Sequence, residues 1–410
     1  MSQKKIKLTS ELEEQLKQHL KSKQPLLGED SPWSGLLQSM VNAMLEGEVD
    51  HHLAEERRKG NKNKRNGHNH KRVITEGGIM NVSTPRDRSG TFEPEIISKR
   101  QRQLSSGLDK QILALYAQGN SVEDVRRLLA QMYSVEISAG KISQITDQIL
   151  PEMDRWRTRQ LESFYPIIYM DAMYFKVRDQ GKYINKAFYT VYSVNWYGER
   201  DLLGLYVNHS EGAHRWGIVM KDLIKRGLRD ILVICVDDLR GFSEVLNEEF
   251  PKAIIQKCIV HQVRNSLKYV DDKEMKKVAS DLRKIYTSST EEQAKSGLNL
   301  FEKKWGEKYG YIVDQWTKKW TELMAFLDFE SEVRRMIYTT NPVEALHRII
   351  RKLIKGKAAW VSETALTKQM YMSLMHNKKS WKKRAYNWKS IQRELLRLYP
   401  DRINLYLKGQ

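Results

Sequence analysis

Four apolar runs between residues 165 and 238 constrain this chain more than any other feature. PIIYMDAMYFKV, KAFYTVYSVNWYG, RDLLGLYVNHSEG and ILVICVDD are rich in Ile, Val, Tyr and Phe and are bounded by Gly, Asp or Asn, the pattern of β-strands. Between the third and fourth lies HRWGIVMKDLIKRGL, apolar at helical spacing and stopped at Gly227. Three strands, a helix and a further strand predict a mixed α/β sheet. LRGFSEVLNEEFP then reads as a helix and AIIQKCIVH as a short strand. Residues 262–329 read as helical throughout, with Trp305, Trp316 and Trp320 available for their core, and helices resume from Pro342 to the end.

The residues before the sheet are more basic and less apolar. In SGLLQSMVNAMLEGEVDHHLAEERRK, Leu36, Leu37, Met40, Val41, Met44, Leu45, Val49 and Leu53 recur every three or four residues, and Ser34 stands at a capping position. So broad a stripe fits either an internal core or contact with another domain or subunit. From Arg57 to Arg102 thirteen Lys/Arg face only four acids. Within that stretch, 73–75 and 79–84 flank Gly77-Gly78, which predicts a β-hairpin whose second strand ends at Pro85 and the 87–90 cluster. The hairpin reads as a DNA contact through Lys62, Lys64, Arg65, Lys71, Arg72, Arg86 and Arg88, or else as a solvated charged loop. Three helical segments follow over 104–151. The first stops at Gly119-Asn120; Ser121 and Asp124 form a near capping box for the second; Ser138 opens the third, with Lys141, Ser143, Gln144 and Thr146 on its polar side. The triplet resembles a helix-turn-helix.

Charge narrows the partner class. Over 410 residues, 70 Lys+Arg against 51 Asp+Glu leave +19, so nucleic acid is the first partner to expect and an anionic membrane surface the second. No run approaches the ~18 apolar residues of a membrane span, and the first 23 residues carry no apolar run of a secretory signal. Two cysteines, Cys235 and Cys258, point away from a disulfide scaffold and toward a reducing cytosol.

Three acids stand out by position. Asp171 ends an apolar run expected to be a central strand; Asp237 closes another. Glu344 lies in YTTNPVEALHRIIRK, where Asn341 can cap a helix and Pro342 fits its first position. Carboxylates at strand ends converge on one edge of an α/β sheet. Each close pair costs about 4 kcal/mol at ~4 Å and an effective dielectric of ~20, so a cation must sit between them or one must protonate. Mg²⁺ or Mn²⁺ is the natural solution, and two such ions suit in-line phosphoryl transfer. The alternative is that each acid merely caps its element.

YMDAMYFKVR, YINKAFYTVYSVN, HSEGAHRW, CVDDLRGF, CIVHQVRNSLKYV and YTTNPVEALHRIIRK, with RNGHNHKRVITEGG and TPRDRSGTFEP upstream, resemble the Mutator-type transposases of bacterial insertion sequences. The likeness spans about residues 40–371. It implies an RNase H-like (retroviral-integrase-like) catalytic core with an all-helical insertion between the second acid and the Glu. It also implies a DDE transposase that binds terminal inverted repeats, cuts a strand and transfers it, acting as a homodimer through a copy-out route. On this likeness Asp171, Asp237 and Glu344 are the catalytic, metal-binding acids, at separations of 66 residues (171 to 237) and 107 residues (237 to 344). Asp238 replaces the family's usual small residue and is the alternative second acid. Cys258 and His261 match a family Cys-x-x-His signature. His261 is then an active-site or DNA-end contact or else a packed core histidine, and Arg264, Asn265, Arg348 and Arg351 are candidate phosphate contacts. Glu211 and His214 belong to a further family motif.

In HNKKSWKKRAYNWKS, six Lys/Arg including Lys382, Lys383 and Arg384 surround Trp381, Tyr386 and Trp388. This reads as a nucleic-acid groove, or as a solvated helix whose aromatics point inward. The organisation expected is 1–60 helical with a candidate dimerisation role, 61–103 a basic hairpin, 104–155 helix-turn-helix-like, 160–260 plus 331–375 catalytic, 261–330 the helical insertion, and 376–410 a basic helical tail. The function expected is a Mg²⁺- or Mn²⁺-dependent DNA transposase of the bacterial cytoplasm and nucleoid. The alternatives are a non-catalytic sequence-specific DNA-binding protein or a structure-specific nuclease.

Overall fold

The computed structural model describes residues 14, 17, 18, 21, 32–75, 78–99, 106–133, 137–208, 213–237, 242–338, 341–355 and 357–407. The chain forms two compact units, 1–148 and 149–410. No helix among the described residues is long and apolar enough to cross a membrane.

In the first unit, α1 (Pro32–Arg58) packs on a ribbon of β1 (Arg65–Thr75) and β2 (Gly78–Asp87). Only half of the apolar stripe is used. Val41 and Leu45 join Val73, Met80, Val82 and Ile97 in one core, and Val49 and Leu53 meet Phe92 in another. Leu37, Met40 and Met44 remain exposed. Helix side chains also serve a strand edge: Asn42 Oδ1 and Gln38 Oε1 accept from Ser83 N (3.0 Å) and Asn81 N (3.2 Å), giving β2 partners that a two-stranded ribbon lacks. Three sequence expectations are corrected. The helix starts at Pro32, so Ser34 is inside it. Thr75 pairs with Gly78, so Gly78 belongs to β2 rather than to the turn, and β2 continues through Pro85 to Asp87. In a two-stranded ribbon each strand has an unpaired side, so a residue without an N–H is tolerated.

At the ribbon's base the buried Asp87 accepts from Asn63 Nδ2 (2.7 Å), Thr91 N (2.9 Å) and Thr91 Oγ1 (2.9 Å). Burial alone would push this carboxyl up, but the donors of Asn63, Thr91 and the Phe92 backbone hold it well below the usual range. Its stabilisation is therefore present above about pH 4, the ordinary carboxylate value, and is lost as pH falls below that. Asp87→Ala is expected to cost about 1–3 kcal/mol at neutral pH and to flatten the acid side of the stability–pH curve, measured by urea unfolding across pH 3–7. An unchanged acid limb would refute this.

The helical triplet is α2 (Ser106–Ala117), α3 (Val122–Tyr133) and α4 (Ala139–Asp147). Leu108, Ile112, Val125, Leu129, Ile137, Ile142 and Ile145 form its core. The first break uses Gly119 at φ 105°, where a side chain would be strained. Ser121 Oγ accepts from Asp124 N (3.0 Å) while Ser121 N donates to Asp124 Oδ2 (3.1 Å), and Ser138 Oγ accepts from Lys141 N (3.2 Å). Thr146, expected on the polar face, is buried. The third helix does not run on through Pro151: a new helix, α5 (Leu150–Thr158), starts with that proline in its first turn, where no N–H is needed.

The second unit is built on a sheet of β3 (Phe164–Asp179), β4 (Lys182–Val194), β5 (Arg200–Asn208), β6 (Asp230–Val236) and β7 (Ile254–Lys257) in the order β5-β4-β3-β6-β7. β4 pairs antiparallel to both β3 and β5, while β6 runs parallel to both β3 and β7. Gln180 (φ 46°) and Gly181 (φ 82°) make the β3–β4 turn, a left-handed pair that matches the twist of a hairpin. Alternation along β3 sends Ile168 and Met170 to one face, where α6 (Ala213–Lys225) and α7 (Phe242–Glu249) bury Trp216, Val219, Met220, Leu223, Phe242 and Leu246. Tyr169 and Asp171 point the other way, and Tyr169 Oη donates to Met336 O (2.8 Å) in α12 (Ser331–Ile337).

The strand expected to reach His261 stops at Lys257; Cys258 then occupies the N-cap position of α8 (Ile259–Leu267). α9 (Asp272–Tyr286), α10 (Glu291–Lys318, kinked at Tyr309) and α11 (Trp320–Met324) follow, then a 3₁₀ turn (Ala325–Asp328). Trp305 and Trp316 are buried there; Trp320 is half-buried and donates to Glu291. The last elements are α13 (Asn341–Ile354), α14 (Glu363–His376), α15 (Lys378–Trp381), α16 (Trp388–Leu398) and α17 (Pro400–Leu407). Here the inward reading of the aromatics holds for two of three. Trp381 and Trp388 are buried, donating to Leu374 O and Trp196 O (both 2.7 Å), while Tyr386 is 76% exposed.

Candidate active site

Parallel pairing of β3 with β6 ends at Met170↔Val236. Asp171 and Asp237 are the next residue on each strand path, so the register sets them side by side where β6 stops and β3 continues. Asp171 is 5% exposed; its Oδ1 accepts from Ala172 N (2.7 Å) and its Oδ2 lies 2.6 Å from His347 Nε2 of α13. Asp237 is half-buried, with Oδ1 2.6 Å from His261 Nδ1 of α8. Both histidine contacts are short, charge-bearing pairs at the sheet edge.

The electrostatics separate the two acids. Burial opposes ionisation of Asp171, but His347, together with a hydrogen bond from Asp237, outweighs it and holds the carboxyl below its ordinary range. Asp237 is pushed up to about 6, first by burial and further by the adjacent Asp171 charge, against the pull of His261. His261 is raised to about 10, chiefly by Asp237 and then by Cys258. At neutral pH both carboxyls are therefore mostly ionised, with a protonated His261 set against Asp237. The oxygen donors of the two carboxylates fit a hard divalent cation.

Of the residues singled out by sequence, Asp171, Asp237 and His261 are brought together. Glu344 lies in α13, three residues before His347; its side chain, like Asp238 and Glu211, lies outside the described residues. Arg348 and Arg351 are exposed on α13, Arg264 and Asn265 are exposed on α8, and His214 is exposed at the start of α6. His347 was missed by sequence reasoning; its position three residues after Glu344 was the available signal.

The proposed DNA-contacting residues are mostly at the surface. Lys62, Lys64, Arg72, Arg86, Arg88, Lys141, Gln144, Lys382, Lys383 and Arg384 are exposed, and Ser143 is half-buried. Arg65 pairs with Glu46 and with Asp50 (2.6 Å) of α1, and Lys71 Nζ donates to Ser98 O (2.7 Å).

Residues 7–384 match the family described as "Transposase, Mutator family". The chain is 36% identical over 380 residues to the probable transposase for insertion sequence element ISRM3-like of Sinorhizobium fredii, covering 92% of this chain and 95% of that one. It is 35% identical to the transposase for ISRM3 of Rhizobium meliloti, with the same coverage. A probable insertion-element transposase of Corynebacterium diphtheriae is 35% identical over 343 residues, 79% of this chain and 100% of the other.

Proposed function

Because the chain belongs to the Mutator family of transposases, we propose that it is an insertion-sequence transposase that works as a DDE enzyme on an RNase H-like core, cutting DNA at its element's ends and transferring the freed strand. One observation carries this reading: two carboxyl groups adjacent on neighbouring parallel strands, at the sheet edge where α/β folds place their sites. The strand order β5-β4-β3-β6-β7, with three antiparallel strands followed by two parallel ones, supports the RNase H-like assignment.

In this reading Asp171 is the first ligand, Asp237 the second, and Glu344 the third from α13. These three acids would hold two Mg²⁺ or Mn²⁺ ions, which would supply activation of the attacking oxygen and stabilisation of the leaving one. His347 orients Asp171 and His261 orients Asp237, as imidazoles behind metal-binding carboxylates do. Arg264, Asn265, Arg348 and Arg351 hold phosphates near the cut, while the exposed hairpin and α4 cations, with Lys382, Lys383 and Arg384, supply the salt-dependent grip on double-stranded DNA. Family likeness adds a homodimer on paired ends.

The test is incubation of purified protein and Mg²⁺ with a labelled element end. Nicked and joined products are expected. Binding without strand breaks would make the chain a DNA-binding protein only, and cleavage without joining a nuclease.

A further inference from the structure

We propose that Cys258, His261 and Asp237 form a binding site for a borderline-soft divalent cation of the zinc class, distinct in ligand chemistry from the all-oxygen site proposed above. The donor atoms of these three residues lie within 4.8 Å of one another, and they are the one such His/Cys/acid group among the described residues. The backbone builds the cluster. Cys258 N donates to Val236 O (2.8 Å), tying the thiol-bearing residue to the strand end that delivers Asp237, and Gln262 N donates to Cys258 O (3.0 Å) to start α8. That helix is locked from behind: Ser266 Oγ donates to Gln262 O (2.8 Å) and accepts from Trp316 Nε1 (2.9 Å). Cys258 is 4% exposed, and His261 faces the half-buried Asp237.

One sulfur, one imidazole nitrogen and one carboxylate oxygen are poor ligands for Mg²⁺ and good ones for Zn²⁺, Co²⁺ or Cd²⁺. Three protein ligands leave a fourth tetrahedral position for water. Donors at ~2.0–2.1 Å from a tetrahedral ion stand about 3.3 Å apart, so the 2.6 Å His261–Asp237 contact has only to open by about 0.7 Å. Binding releases two protons to solvent, one from the Cys258 thiol and one from the His261 imidazolium, and leaves a thiolate and a neutral imidazole on the metal. Because Asp237 is common to both sites, a zinc-class ion draws it away from Asp171 and opposes loading of the hard cation.

The inference rests on these three side chains and is read out by metal binding, so it stands or falls apart from strand transfer. Titration of the full chain with cobalt(II) chloride is expected to give one equivalent of sulfur-to-cobalt charge-transfer absorption, displaced by zinc. That absorption is expected to vanish in Cys258→Ser, to require at least about tenfold more cobalt in His261→Ala, and to persist in Cys235→Ala. No absorption in the parent chain, or undiminished absorption in Cys258→Ser, overturns the site. If a thermal melt shows Cys258→Ser unfolded, His261→Ala decides, and unchanged cobalt affinity there overturns it equally.

Discussion

Asp171→Ala is expected to lose Mg²⁺-dependent cleavage and joining of element ends by at least about a thousandfold while keeping its affinity for those ends. Asp171 is 5% exposed and its carboxyl is held below the ordinary range, with His347 behind it. Removing it takes away the more buried of the two carboxylates that would hold a cation. The change also leaves His347 without its carboxylate, so about 1–3 kcal/mol of stability is expected to go with it. Asp171→Asn, which keeps the shape, separates the two effects: activity lost, melting near that of the parent. Binding is checked by gel shift on a labelled end and chemistry by product analysis on the same DNA. Cleavage within tenfold of the parent chain would remove Asp171 from the chemistry.

The second large effect is on stability. Arg402 of α17 grips Asp230, the first residue of β6, with Nε–Oδ2 2.8 Å and Nη2–Oδ1 2.7 Å, and also donates to Ile231 O (2.7 Å) and to Lys252 O. The side chains are 15% and 11% exposed, so this is a partly buried, bidentate pair rather than a solvated one. Arg402→Ala strands the Asp230 charge and is expected to cost about 3–5 kcal/mol, read from denaturant midpoints. Combining it with Asp230→Asn should recover part of that loss, since no unpaired charge remains. A cost below about 1 kcal/mol would mean that the pair behaves as an ordinary surface ion pair. The contact also bears on the site, because β6 begins at Asp230 and hands the chain to Asp237 at its other end. The last helix, which sequence alone placed in a basic tail, is tied to the central strands.

Much of the architecture was legible because its causes are local. Alternation and β-branched content located the strands, helical spacing with Ser121, Ser138 and Gly119 located the triplet, and acids at the ends of apolar runs pointed to Asp171 and Asp237. Errors came where a local signal admits two outcomes. Ser34 looked like a cap but sits two residues inside a helix begun at Pro32. A run of apolar residues through Cys258 to His261 was continued as strand, yet helix begins at Ile259. The broad stripe of α1 was one periodic signal, and packing on a small hairpin covered only its Val41–Leu45–Val49–Leu53 side.

What the sequence by itself determined about this protein is its set of elements, its basic surface and the two strand-borne acids, since each depends on residues a few positions apart. Only the tertiary structure decided which of these meet. It brought His347 against Asp171 and His261 against Asp237, turned Trp381 and Trp388 inward while leaving Tyr386 out, and closed Arg402 on Asp230. These partners lie 24 to 176 residues apart, and nothing in the short-range pattern distinguishes one distant partner from another. Burial and charge neutralisation select among them only when the whole unit packs.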